Sequence, residues 1–133
     1  MATHERLNPA TLFDSRSLSY SQVMKSSGKV FVQVAGQAAL DRDMKLVGEG
    51  DFQVQTRVCF ENLGHALEAA GASPADVNCI RIYVVDSKPA YIPVLKAALE
   101  HFFGDSLPPG TLVGVEALSM HGMLLEVEAS AVI

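Results

Sequence analysis

Alternating apolar side chains near the end of the chain predict its clearest strand. Successive side chains of a strand point to opposite faces, so residues 124–133 place only apolar side chains on one face, namely Leu125, Val127, Ala129, Ala131 and Ile133. The opposite face carries Glu126 and Glu128, which a strand places ~7 Å apart. Two carboxylates this close need water, a cation or a ligand nearby. A second apolar run after Pro108-Pro109-Gly110 predicts a neighbouring strand of the same sheet.

Helical spacing of apolar residues appears twice. Asp51 is a predicted N-cap for a helix that ends at Gly71, and a second helix is predicted from Ser87-Lys88-Pro89 to Gly104. Each helix has one apolar stripe, predicted to be buried, and an opposite polar face. The stripes comprise Phe52, Thr56, Cys59, Phe60, Leu63, Ala66, Leu67 and Ala70 in the first helix, and Tyr91, Val94, Leu95, Ala98, Leu99, Phe102 and Phe103 in the second.

The remaining strands are shorter signals. After an irregular segment through Ser17, we predict a hairpin of strands 18–25 and 30–37 around a turn at 26–29, a short strand or loop at 41–47, and a central strand at 77–86. Strand-terminal Gly36 indicates a bulge or a close approach to a neighbour or ligand. The order strand, strand, helix, strand, helix, strand, strand predicts an α+β domain with both helices on one face of a mixed sheet.

The helix-free sheet face must therefore meet water or another subunit. We expect Arg81 and Tyr83 on that face, together with the two glutamates. Arg81 is a charge in a strand predicted to be buried on both sides, and a structural salt bridge to Glu126 or Glu128 is favoured over a functional role.

Composition restricts the function classes. A chain of 133 residues forms one domain, and 49% hydrophobic residues with a mean hydropathy of +0.22 predict apolar surface hidden between subunits. A formal charge of −5 without a basic cluster disfavours nucleic acid as a partner. We expect no metal or other cofactor, no membrane partner, a cytoplasmic location, and reduced core thiols at Cys59 and Cys79.

The chain from about residue 18 to its end resembles the YjgF/RidA family. The resemblance rests on the order and spacing of short segments: Ser19-Tyr20-Ser21-Gln22, Val34-Ala35-Gly36-Gln37, Gly50-Asp51-Phe52, Glu61-Asn62-Leu63, Leu67 to Ser73, Asp76-Val77, Phe102 to Asp105 and Leu125 to Ala129. It implies a chorismate-mutase-like fold, a homotrimeric barrel, and three inter-subunit clefts. In active members these clefts hydrolyse reactive enamines and imines to carbonyl compounds and ammonia.

Only some of the family's site residues are present in this sequence. The resemblance assigns the water-positioning glutamate to Glu126 and the cleft tyrosine to Tyr20, but the carboxylate-binding arginine of a Pro-x-Arg-[Ser/Thr] segment falls on Gly110, before Thr111. A glycine cannot supply a bidentate guanidinium clamp, and such a loss costs ~2–5 kcal/mol. Leu112 replaces a residue that is often small and polar, and Leu95 replaces a frequent Asn, so we expect a less polar cleft.

Three functions remain open from the sequence. The favoured one is a deaminase for an imine larger or more apolar than the small imino acids, with Glu126 as catalytic residue and Tyr20, Gly36, Tyr83, Gly110, Thr111, Leu112 and Glu128 at the substrate. Arg81 and His121 are further candidates, although a loop histidine is more often solvated. A non-catalytic trimer that binds a small metabolite is the alternative, and an endoribonuclease is a distant third.

Overall fold

Six strands and two long helices make up the protein, for which a computed structural model describes residues 1–133. The strands are β1 (Thr3–Leu7), β2 (Val23–Ser27), β3 (Phe31–Gln37), β4 (Val77–Val85), β5 (Gly110–Val115) and β6 (Leu125–Val132). The helices are α1 (Phe52–Ala69) and α2 (Tyr91–Phe103). The α+β class predicted from the sequence is confirmed.

The main sheet has the strand order β3-β6-β4-β5. Strand β4 pairs antiparallel with β6 and parallel with β5, and β6 pairs antiparallel with β3. A parallel pair needs a crossover connection, and α2 supplies it between β4 and β5. The sheet is therefore mixed, as predicted, with β3 and β5 as its two edge strands.

Both helices lie on one face of this sheet, where the core forms. The β6 residues predicted to share an apolar face are buried, and α1 packs its own stripe on β3 and β6. The Asp51 carboxylate accepts a hydrogen bond from the Val54 N–H at 3.0 Å, and Gly71 has a φ of +72°, so both predicted ends of α1 are confirmed.

The N-terminal segment differs from its prediction. Residues 1–17 are not all irregular, because Thr3–Leu7 forms β1, which pairs antiparallel with β2 in a separate two-stranded sheet. The Arg6 guanidinium donates to the Ala75 and Ser106 carbonyls at 3.2 and 3.4 Å. These contacts come from residues far along the chain, so the pattern of polar and apolar residues within 1–17 did not predict the strand.

The predicted hairpin between residues 18 and 37 is wrong, because its two strands lie in different sheets. Strand β2 begins only at Val23, extends into the expected turn as far as Ser27, and pairs with β1 rather than β3. Residues Ser15–Leu18 form a 3₁₀ turn, and Ser19 takes a left-handed φ of 64°. At the 41–47 segment, a single β-bridge joins Leu40 to Leu46. Helix α2 begins at Tyr91, slightly after its predicted start at the proline.

Candidate functional site

The predicted site residues lie in two groups on opposite faces of the main sheet. One group lines a cavity on the helix side and comprises Tyr20, Gly110, Thr111 and Leu112. The other occupies the helix-free face and comprises Gly36, Arg81, Tyr83, Glu126 and Glu128. Within one chain, therefore, the groups form two separate surfaces.

The cavity has a volume of about 410 Å³ and lies between α2, the Leu18–Tyr20 segment, and strands β4 and β5. Hydrogen bonds fix the Leu18–Tyr20 segment in place. The Ser15 hydroxyl donates to the Tyr20 carbonyl at 2.7 Å, and the Ser21 hydroxyl donates to the Leu107 carbonyl at 2.6 Å. Both serines are buried, so these bonds are shielded from water. The Leu18–Tyr20 segment of the cavity wall is thus anchored by hydrogen bonds of the serines before and after it.

Gly110 marks the point where β5 enters the cavity. It lies opposite Ile80 in the parallel pair, and a Cβ at this position would be 2.9 Å from Ile80 Cγ2 and 3.3 Å from the Ile80 carbonyl oxygen. Any larger side chain would need Ile80 to shift. The glycine fits this close approach and leaves no polar side chain on that part of the wall.

One charged residue lines the cavity, Lys96 of α2. Its ammonium forms an ion pair with Glu100 one turn further along the helix, and the Ser19 hydroxyl donates to the same carboxylate at 2.8 Å. These hydrogen bonds, Lys96 first and Ser19 second, lower the pKa of Glu100. The Ser19–Glu100 hydrogen bond therefore ties α2 to the Leu18–Tyr20 segment at the cavity.

Glu126 lies half-buried on the helix-free face, directly opposite Tyr83 in the β4–β6 pair. Strand β3 has a register shift between Val34 and Gln37, and Gly36 lies within it against the Glu126 side chain. A Cβ on Gly36 would be 1.9 Å from Glu126 Oε1, so only glycine leaves this space to the carboxylate. Both explanations offered for Gly36, a bulge and a close approach, apply.

Glu128 has partners of its own on the same face. The Tyr83 hydroxyl donates to Glu128 Oε1 at 2.5 Å, and this bond is the main cause that raises the pKa of Tyr83. Arg81 Nη1 is 4.0 Å from the same oxygen. The Arg81 side chain is 55% exposed, so the expectation of a charge buried on both sides is wrong, and the predicted salt bridge is a weak solvated pair. Glu126 takes part in none of these contacts.

His121 belongs to neither group. It is exposed in the connection between β5 and β6, next to Gly122, whose carbonyl accepts from the Gln55 side chain at 2.9 Å.

Sequence reasoning missed several residues of the cavity wall. The sequence could have indicated Ile92, because this residue is apolar but lies off the predicted apolar stripe of α2. It could also have indicated Lys96, which borders that stripe. Ser19 gave no such signal, because the partner of its hydroxyl, Glu100, lies 81 positions away in the sequence.

No group of three or more His, Cys, Asp or Glu residues could hold a metal ion. Neither helix is both long and apolar enough to cross a membrane.

A profile of the family described as Endoribonuclease L-PSP matches residues 15–133. The chain belongs to this family, the YjgF/RidA family. The RutC family protein PH0854 of Pyrococcus horikoshii is 34% identical over 112 residues, which cover 84% of this chain and 85% of the relative.

Solved structures of family members share the fold. The Rid family protein YyfB of Yersinia pestis is 33% identical, covers 98% of each chain, and superposes with a TM-score of 0.93. Escherichia coli TdcF with bound serine is 25% identical, with a TM-score of 0.67, over 77% of this chain and 80% of TdcF.

Proposed function

We propose that this member of the YjgF/RidA family is an enamine/imine deaminase, which hydrolyses a reactive C=N compound to a carbonyl compound and ammonia. The observation that carries the proposal is the environment of Glu126, a half-buried carboxylate for which Gly36 leaves room and which no neighbouring cation neutralises. Such a group is free to bind water.

The reaction suits one free carboxylate. Water adds to the C=N carbon of a protonated imine, while Glu126 accepts a proton from that water. Glu126 returns the proton to the nitrogen of the resulting carbinolamine, and the C–N bond then breaks to release ammonia. The hydroxyl proton passes back to Glu126 or to solvent as the C=O bond forms, which leaves the carbonyl compound. Overall, one water is consumed and no electrons are transferred.

A homotrimer would bring the two residue groups together. In one chain the cavity and Glu126 lie on opposite faces of the sheet, so a complete cleft requires the cavity of one copy to face the helix-free sheet of another. Exposed apolar residues near the cavity and on that sheet support such packing: Leu18 (51%), Ile92 (42%), Leu112 (44%) and Phe31 (75%).

A metabolite-binding trimer without catalysis is the second candidate. The cavity supports it, because most of the lining is hydrophobic and Gly110 contributes no side chain to it. TdcF, which was solved with serine bound, is a relative that holds a small amino acid.

Endoribonuclease activity ranks third despite the description of the family. The formal charge of −5 repels RNA phosphates, and ten Lys and Arg residues form no cluster along the sequence. We place the protein in the cytoplasm, where its two unpaired cysteines would remain reduced.

The deciding experiment measures ammonia release from imines generated enzymatically in situ, both small and bulky, with the native protein and with Glu126→Gln. We expect acceleration by the native protein to fall by at least about 100-fold in Glu126→Gln, the lower end of what a positioned acid–base group contributes. The matched control is Glu61→Gln, an exposed glutamate of α1 paired with Arg57, which should retain full activity.

Two results would contradict the proposal. Equal activity of Glu126→Gln and the native protein would remove Glu126 from catalysis. No acceleration with any imine, together with saturable binding of a small metabolite, would favour the binding protein.

A further inference from the structure

We propose that Lys96 binds the carboxylate of a ligand whose apolar body fills the cavity beside α2. The ligand class is therefore a monocarboxylate with a long, branched or aromatic apolar group. The substrate that this site implies for catalysis rests on the proposed deaminase function. The binding of a carboxylate by Lys96 does not.

The cavity wall selects an apolar body. Eight of its thirteen lining residues are hydrophobic, contributed by α2, β4, β5 and the Leu18–Tyr20 segment. Ile80 and Ile82 from β4 and Leu95 from α2 belong to the buried core, so the cavity reaches the interior. A volume of about 410 Å³ is within the range of small-molecule sites. Each methylene that a ligand buries there should strengthen binding about fourfold.

The charge of the wall selects an anionic head. Lys96 is the single charged residue in the lining, and an ammonium group has three N–H donors. Glu100 accepts from this group, which leaves donors for a ligand oxygen. A cationic head would be repelled, and a neutral head would forgo a charge-assisted hydrogen bond.

Glu100 and Ser19 position the lysine. The carboxylate of Glu100 is bound both by Lys96 and by the Ser19 hydroxyl, and Ser19 is 1% exposed. The Lys96 side chain is 42% exposed, and the pairing with Glu100 holds its ammonium at the solvent-accessible mouth of the cavity. Because Glu100 neutralises part of its charge, one carboxylate on the ligand suffices, and a dianion would meet repulsion from Glu100.

For the proposed deaminase, this arrangement specifies the substrate. Lys96 would hold the carboxylate of a 2-imino acid with a bulky apolar side chain, and Glu126 of a neighbouring copy would deliver water. Lys96 would then bind the substrate carboxylate in place of the side chain that is missing at Gly110.

The binding test uses simple probes. Dissociation constants for hexanoate, butanoate and hexan-1-ol are measured by NMR titration with the native protein, Lys96→Met and the control Lys88→Met. Lys88 is a lysine near the start of α2 that pairs with Asp86 and does not line the cavity. We expect hexanoate to bind about 16-fold more tightly than butanoate, because it buries two more methylenes.

The variants separate the lysine from the apolar wall. Lys96→Met should weaken hexanoate at least about tenfold, in line with the loss of a charge-assisted hydrogen bond, and leave hexan-1-ol unchanged. Lys88→Met should match the native protein for all three probes. The inference is overturned if hexanoate does not bind at millimolar concentration, or if it binds Lys96→Met as tightly as the native protein.

The same probes distinguish this inference from the deaminase proposal. If hexanoate binds through Lys96 but no imine is hydrolysed faster, the carboxylate site stands and the deaminase proposal fails. If imines are hydrolysed but hexanoate neither binds nor inhibits, the deaminase proposal stands and the Lys96 site is overturned.

Discussion

Cys59 shows how burial controls the chemistry of a single residue. It lies on the face of α1 that contacts β6, is 0% exposed, and its Sγ is 3.7 Å from the Leu125 carbonyl oxygen. Burial, with a smaller contribution from the negative charge of Glu126, raises the pKa of the thiol from 9.0 to about 12. The folded protein therefore keeps this thiol protonated at neutral pH.

The raised pKa predicts a loss of stability in alkali. The folded state holds the Cys59 proton more tightly than the unfolded state, so this stabilisation is present below pH 9 and is lost as the pH rises towards 12. The free energy of unfolding in urea, measured from pH 8 to 11, should fall by up to about 1.4 kcal/mol per pH unit more steeply in the native protein than in Cys59→Ala. Parallel pH profiles would contradict the assignment.

At the scale of elements, Gln55 of α1 joins the connection before the helix to the connection between β5 and β6. This side chain is 0% exposed and makes three hydrogen bonds, donating to the Gly48 and Gly122 carbonyls at 3.0 and 2.9 Å and accepting from the Leu124 N–H at 2.8 Å. The helix thereby fixes both the connection before it and the entry into β6, the strand that carries Glu126.

Replacing Gln55 by leucine should destabilise the fold. Gln55→Leu leaves one buried N–H and two carbonyls without these partners, and we expect a loss of about 2–4 kcal/mol in the free energy of unfolding, measured by urea denaturation. Gln53→Leu is the control, because Gln53 is exposed on the same helix, and it should change stability by less than about 0.5 kcal/mol. Equal losses in both variants would show that helix polarity, and not these bonds, is responsible.

The elements differ in how far the sequence predicts them. Helix α1 and strand β6 follow from local information, namely a cap, a stop and a regular apolar period. Strand β1 does not, because residues such as Arg6 find their partners about 70 and 100 positions away. The same division applies to the candidate site: alternation placed Glu126 and Glu128 on one face, but the cavity between Lys96, Ser19 and Gly110 exists only after the chain has folded.

At the scale of the whole molecule, the helix-free sheet face and the apolar rim of the cavity predict assembly. We expect sedimentation equilibrium to give three times the 14.2 kDa mass of one chain. Phe31→Lys introduces a charge at a 75% exposed position of the sheet face and should shift the mass towards that of a single chain. Met44→Lys, at an equally apolar and 67% exposed position in the 41–47 segment, should leave the mass unchanged. A native protein that sediments as a monomer would refute the trimer.

The position of strand β5 in the sheet has a consequence for aggregation. It is an edge strand, and its consecutive residues Thr111, Leu112 and Val113 are all exposed. The unpaired N–H and C=O groups of this edge can form hydrogen bonds with a strand of another chain, including a chain that is incompletely folded. A chain that has not yet formed the proposed trimer would therefore leave this edge open to aggregation.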